Sequence, residues 1–313
     1  MNPPENTGQP ISRRNFLALS SAVPALVAAQ SLTASASPTA AGDAIAPPPS
    51  AKKYPIGLEL YSVRGQLMAD LPLTLKTVAK MGYDVVEFYS PYFTWKYPYS
   101  KYVRNMMDDL GLRCYSTHNS IESFAPGAGM AHAVELNQIL GSRIMILASA
   151  PNSTTGVEGW KKLSGQLSDA VEQLTPHGLS AGFHNHNTEW APLEGTTRAM
   201  DVLAANTPKE FVLQLDVGTC VEAGADPVAW IKANPGRIKV VHLKDWAPGQ
   251  RTDEKGYRVL FGEGVSPWKE ILAALESGGG VEYYLMEQEG SRFPEFETAQ
   301  RCLDAWKKMR GQS

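Results

Sequence analysis

Six histidines and a recurring set of carboxylates carry most of the chemistry this sequence can offer, and their placement makes them informative. Runs rich in β-branched and aromatic residues recur along the chain, and most end in an ionisable side chain. Glu59 follows Ile56-Gly57-Leu58, Glu87 follows Val85-Val86, and His118 closes the run from Arg113. His184 and His186 follow Ser180–Phe183, and Asp216 closes Phe211–Leu215. His242 and Lys244 end the run from Ile238, and Glu287 and Glu289 end the run from Tyr283. Asp, Glu and His supply hard oxygen and borderline nitrogen donors, a set that suits Mn2+, Mg2+, Co2+ or Zn2+ rather than a thiolate-seeking metal. Side chains alternate along a strand, so His184 and His186 share a face while Asn185 points away. Such a pair can hold an ion with both rings, or hold it with one and meet a substrate with the other. By the same parity Lys244 shares the face of His242. His132, in a helical stretch, and His177, at a helix end before Gly178, read as structural.

These groups need elements to position them. The runs number eight, and the fourth, Arg143–Leu147, is the one without an ionisable end. Helical patterns lie between them. Leu71, Leu75 and Val78 form one face before Gly82, and Leu163, Leu167, Ala170, Val171 and Leu174 form another before Gly178. Ser266-Pro267 opens a further helix expected to run to Ser277 with Gly278 beyond it, and a last one spans about Pro294 to Met309. Eight strand–helix units fit a closed (β/α)8 TIM barrel or a doubly wound open sheet. The open sheet would show a Gly-rich phosphate loop after its first strand, and Ser62-Val63-Arg64-Gly65 is not one. The barrel is therefore expected over residues 54–313, with seven ionisable strand ends facing one point at its C-terminal mouth.

Composition agrees. The chain has 313 residues, 43% of them hydrophobic, which is ample for a core of that size. A net charge of −3 argues against nucleic acid as the partner. Three cysteines, Cys114, Cys220 and Cys302, form no CxxC pair and read as buried free thiols. Ser12-Arg13-Arg14-Asn15-Phe16-Leu17, a modest apolar run to Ala29, and Ala34-Ser35-Ala36 resemble a twin-arginine export signal over residues 1–36, cleaved near Ala36. Residues 37–53 read as a flexible Ala/Pro/Ser linker. Nothing later is apolar enough to span a bilayer. The expected partners are the twin-arginine machinery during export and a small sugar afterwards, in a periplasm.

Four motifs in order, Phe183-His184-Asn185-His186-Asn187-Thr188-Glu189-Trp190, Leu215-Asp216-Val217-Gly218, His242-Leu243-Lys244-Asp245 and Met286-Glu287, resemble the xylose isomerase-like barrels, the sugar phosphate isomerases/epimerases. The resemblance covers residues 54–310. It implies a divalent metal, commonly Mn2+, with one ligand from each of strands five to eight: Asp216, His242 and Glu287 on the last three. On strand five the keto-sugar 3-epimerases of this group have Glu, whereas the aligned residue here is His184, with His186 and Glu189 as neighbours that could replace it. That departure removes one of the two carboxylates epimerases use on opposite faces of a carbon. In this respect the chain looks more like inosose dehydratases or lyases acting on keto-sugars.

The implied chemistry begins with removal of a proton next to a carbonyl. Return of the proton, giving an isomerase or epimerase, is the first expectation, and loss of a β-substituent, giving a dehydratase or lyase, is the alternative. Glu287, His118 and Lys244 are the candidates for proton transfer. Glu59, Glu87, His186, Glu189, Trp190 and Trp246 are candidates for substrate binding. Export and the lack of a phosphate cradle favour a non-phosphorylated sugar. A sugar-binding protein without activity is the other class this sequence admits.

Overall fold

The computed structural model of the chain describes residues 54–249 and 255–312. The leader and linker expected over residues 1–53 lie outside the described residues. Eight short parallel strands follow one another: β1 (Ile56–Glu59), β2 (Val85–Glu87), β3 (Ser116–Asn119), β4 (Ile144–Leu147), β5 (Ser180–His184), β6 (Val212–Asp216), β7 (Val240–Leu243) and β8 (Tyr283–Met286). They pair in the order β2-β1-β8-β7-β6-β5-β4-β3. Parallel bridges Val85–Arg113 and Phe88–Thr117 join β2 to β3 and close the barrel.

The helices between them are α1 (Arg64–Ala69), α2 (Leu71–Met81), α3 (Tyr99–Leu110), α4 (Ala128–Leu140), α5 (Gly156–Leu174), α6 (Ala199–Ala205), α7 (Val217–Glu222), α8 (Pro227–Ala233), α9 (Trp268–Ala274) and α10 (Glu295–Met309). Their ends have local causes. Asp70 caps α2 by accepting from the Leu73 N–H, and Gly82 stops it in a left-handed conformation. Asp226 caps α8 through the Val228 and Ala229 N–H groups.

Two boundaries differ from the sequence reading. α9 ends at Ala274, a π turn follows over Leu275–Gly279, and the left-handed stop falls on Gly280 rather than Gly278. A run of three glycines lets the chain choose its stop by packing, and Gly280 is the one set against the backbone of Gly236. β3 begins at Ser116, later than expected, because Arg113 contributes a single bridge; it reaches Asn119, which pairs with Leu147.

The core has two layers. Outside the strands, their outward residues pack on the helices, with Leu58, Val86, Met145, Phe183, Leu213, Val241 and Met286 among them. Inside the barrel a separate cluster holds Val85, Tyr115, Ile144, Ile146, Val212, Val240, Tyr283 and Leu285. The large inner side chains leave no room beside them at two positions. A Cβ on Gly57 would lie 2.6 Å from Leu285 Cδ2, and one on Gly182 would lie 2.5 Å from Ile146 Cδ1. Register then decides what comes above this plug. Glu59 pairs with Glu87, His184 with Gln214, and Asp216 with His242, all on the inward parity.

Candidate active site

The inward residues just past the apolar plug are nearly all charged or polar, and they are buried. Glu59, Glu87, Asp216 and Glu287 are four carboxylates at 5% exposure or less, with Lys244 the buried ammonium among them. Burying so much like charge is tolerable only if cations or protons compensate it.

His242 lies between two of the carboxylates. Its Nδ1 is 2.5 Å from Glu287 Oε2, and its Nε2 is 2.8 Å from Glu87 Oε2. Burial opposes charge on this ring, but Glu287 and Glu87 override it and raise its pKa to about 10. Burial would likewise push the Glu87 carboxyl up, but His118 and His242 outweigh it and bring it down to about 2. Lys244 Nζ sits 2.8 Å from Asp216 Oδ2, 3.1 Å from Glu287 Oε1 and 2.8 Å from Glu289 Oε1. Burial again opposes its charge, and the three carboxylates hold it above the usual lysine range. Lys244 is therefore a proton-bearing cation. Glu287 is held well below the usual range because Lys244 and His242 outweigh its burial.

Glu59 has no such cation. Its Oε1 accepts from the Tyr61 N–H at 3.3 Å, and its buried Oε2 has no hydrogen-bond partner. Burial, then the charges of Glu87 and Glu287, push its pKa well above the usual carboxylate range. His184 is driven the other way, well below the usual histidine range, by burial and by His242 and His118, and stays neutral.

Asp216 is fixed from behind. Its Oδ1 caps α7 by accepting from the Thr219 N–H at 3.1 Å. Asn185, pointing out of the barrel as parity requires, grips the Asp216 backbone at both N–H and C=O. The other oxygen, Oδ2, faces inward, 3.8 Å from His184 Nε2. His184, Asp216 and Glu287 offer donor atoms within 4.8 Å of one another. His242 meets Glu287 through Nδ1 and forms two further donor groups, one with His118 and His184 and one with Glu59, Glu87 and His118. A hard, buried N/O donor set with excess negative charge fits a divalent cation.

A cavity of about 640 Å³ opens beside these groups. Of the ionisable residues singled out in the sequence, Glu59, His118, His184, His186, Lys244, Glu287 and Glu289 line it. Tyr61 and Tyr89 line it too, their rings edge-to-face at 5.4 Å. Lys244 is the one Lys or Arg among the described lining residues.

Four residues expected to meet substrate lie elsewhere. Glu87 is wholly buried beneath the cavity, bonded to His242, Gln214 and Ser116. Glu189 accepts from the His186 N–H at 2.7 Å and closes a short 3-10 turn. Trp190 packs edge-on against Trp230 at 5.0 Å in the outer core. Trp246 is half-buried in the loop after β7, where its carbonyl takes the Val265 N–H. Asp245 does not pair with Lys244. It accepts from the N–H groups of Trp246, Gly262, Gly264 and Ser266 and from the Trp268 indole, clasping that loop. Gln214, not among the candidates read from the sequence, is a buried amide bonded to Glu87, His118 and His184. It lies two residues before Asp216, so parity alone places it on the inner face.

The fold and this donor cluster define a (β/α)8 barrel with a candidate metal centre at its C-terminal mouth. The xylose isomerase-like TIM barrel family model matches residues 75–309, and the chain belongs to that family. It is 27% identical over 141 residues to an inosose dehydratase of Clostridium botulinum (strain Alaska E43 / Type E3), a match covering 40% of this chain and 46% of that protein. The chain thus spans about half the length of this curated relative. A sugar phosphate isomerase/epimerase from Parabacteroides distasonis ATCC 8503 superposes with a TM-score of 0.67 at 26% identity, over 82% of this chain and 94% of that one. The IOLI protein, solved with a bound zinc atom, shares the fold with a TM-score of 0.63 at 17% identity, over 81% and 98%.

Proposed function

We propose that the chain is a divalent-metal-dependent carbon–oxygen lyase that removes the proton beside a carbonyl of a non-phosphorylated keto-sugar, keto-glycoside or inosose. The observation that carries this reading is an unequal pair of groups. Lys244 and His242 hold Glu287 well below the usual carboxylate range, and the strand-five residue whose donor atom lies within 4.8 Å of it is the imidazole of His184 rather than a second carboxylate. An epimerase needs a proton-transferring group of similar strength on each face of one carbon, whereas a lyase needs a base and a separate acid.

His184, Asp216, His242 and Glu287 would hold the ion, which when bound polarises a carbonyl and its neighbouring hydroxyl oxygen. Glu287 takes the proton from carbon. The C–H electron pair moves to form the new double bond, and the C–O bond to the β-substituent breaks. Glu59, which lines the cavity and whose burial raises its pKa, is the acid that gives a proton to the departing oxygen, releasing water or an alcohol. Lys244, held by its three carboxylates, places its positive charge beside the substrate oxygens and stabilises negative charge there. His118 lines the same wall and can bond a hydroxyl. With Lys244 already shared among three carboxylates, the described lining offers no free cation for a phosphate, which supports a neutral substrate.

The likeness to the sugar phosphate isomerase/epimerase favours a second outcome of the same first step, in which the proton returns to carbon. One experiment separates these readings. The Mn2+-loaded protein is incubated in D2O with keto-sugars, 3-keto-glycosides and inososes, and products are followed by NMR. Exchange at the carbon beside the carbonyl together with β-elimination is expected. Exchange without elimination favours the isomerase or epimerase outcome. Bound metal with neither result would overturn the enzymatic reading.

A further inference from the structure

Gln214 and Glu87 are both completely buried, and neither lines the cavity. Their hydrogen bonds nevertheless reach three imidazoles. Gln214 Nε2 lies 3.0 and 3.3 Å from the two oxygens of Glu87. Gln214 Oε1 lies 2.8 Å from His118 Nε2 and 3.0 Å from His184 Nδ1. The amide has one workable orientation. An ionised carboxylate only accepts, so the NH2 must face Glu87 and the carbonyl must face the two rings.

The rings then have no choice. A carbonyl oxygen only accepts, so His184 carries its proton on Nδ1 and turns the Nε2 lone pair toward Asp216 Oδ2. His118 carries its proton on Nε2 for the same reason. Glu87 Oε2 accepts from His242 Nε2 at 2.8 Å, so that nitrogen keeps its hydrogen; Nδ1, which donates to Glu287 in the metal-free protein, is the nitrogen left to give up its proton to an ion. Ser116, hydrogen-bonded to Glu87 Oε1, helps fix the carboxylate.

We infer that Glu87 and Gln214 form a buried pair that sets the tautomers of the site, making His184 present Nε2 and His242 present Nδ1. The inference rests on the reading of these two histidines as metal ligands. Both are positioning residues, because each acts only through the imidazoles. Outer partners of this kind commonly change metal affinity by about 10–100-fold when removed.

The test uses 15N-histidine-labelled, metal-free protein and long-range 1H–15N NMR. The expected wild-type spectrum has His184 neutral with its proton on Nδ1. In Gln214→Met, which keeps the volume and removes the acceptor, His184 is expected to move to the Nε2-protonated form. Mn2+ affinity by calorimetry is expected to fall 10–100-fold in that variant, and to fall in Glu87→Gln as well. A wild-type His184 protonated on Nε2 overturns the inference without any variant. Tight Mn2+ binding by both folded variants, within twofold of wild type, overturns it too. A wild-type chain that binds neither Mn2+ nor Zn2+ overturns the metal reading instead, while its spectrum still reports the tautomers.

Discussion

His242 and Lys244 are the two buried cations that hold the carboxylates of the metal-free site together. His242 and Lys244 share a face by strand parity, and that much can be read from spacing. That Lys244 turns to Asp216, Glu287 and Glu289 and leaves Asp245 to clasp a loop depends on where β6 and β8 lie beside β7, which no local pattern records. Removing one carboxylate should show how tightly this cluster is coupled. Asp216→Asn is expected to lower Mn2+ content at least tenfold, by elemental analysis of protein dialysed against a fixed free Mn2+ concentration. Glu287→Gln is expected to reduce turnover by about 10²–10⁴-fold. The cysteines make a separate prediction. Cys114, Cys220 and Cys302 are buried free thiols, and burial pushes each pKa up, that of Cys302 to about 12. The native protein should leave a thiol reagent unreacted at pH 8, and all three thiols should titrate after denaturation.

At the scale of elements, the apolar runs and helix stops were readable because they follow local rules, and the inward parity of the strand ends followed from them. Glu87, Glu189, Trp190 and Trp246 show the limit. Each stands at or just after a strand end, yet whether such a residue faces the cavity, a capping turn or the outer core depends on the turn of chain that follows. The inner layer makes a sharper claim. Gly57 and Gly182 have no space for a methyl group, so Gly182→Ala should cost about 1–3 kcal/mol by chemical denaturation, the range for overpacking a filled core. Ordinary losses at that position would require the plug to be looser than described. Near the loop after β7, Arg292 forms a two-pronged ion pair with Glu263 and holds its carboxyl below the usual range. A depressed carboxylate stabilises the fold above the ordinary carboxylate pKa and loses that contribution as pH falls through and below it. The stability gap between wild type and Glu263→Gln should therefore be largest at neutral pH and close in acid.

For the whole molecule, the barrel brings groups from seven strand ends to one mouth, and the sequence announced this through eight punctuated strand–helix units. The substrate was not legible, because the fold leaves its choice to the loops that shape the cavity. Metal binding to the native state alone should raise stability by about 2.7 kcal/mol at a Mn2+ concentration 100 times Kd, reversed by chelation. Export is a further proposal resting on Arg13-Arg14 and Ala34-Ser35-Ala36. Fractionation of a bacterial host should find the protein in the periplasm, and changing both arginines to lysine should retain it inside the cell. The most direct measurement is an anomalous difference map from crystals grown with Mn2+. A single strong peak bounded by His184, Asp216, His242 and Glu287 is expected. A peak away from all four, or none in crystals of active protein, would contradict a metal centre there.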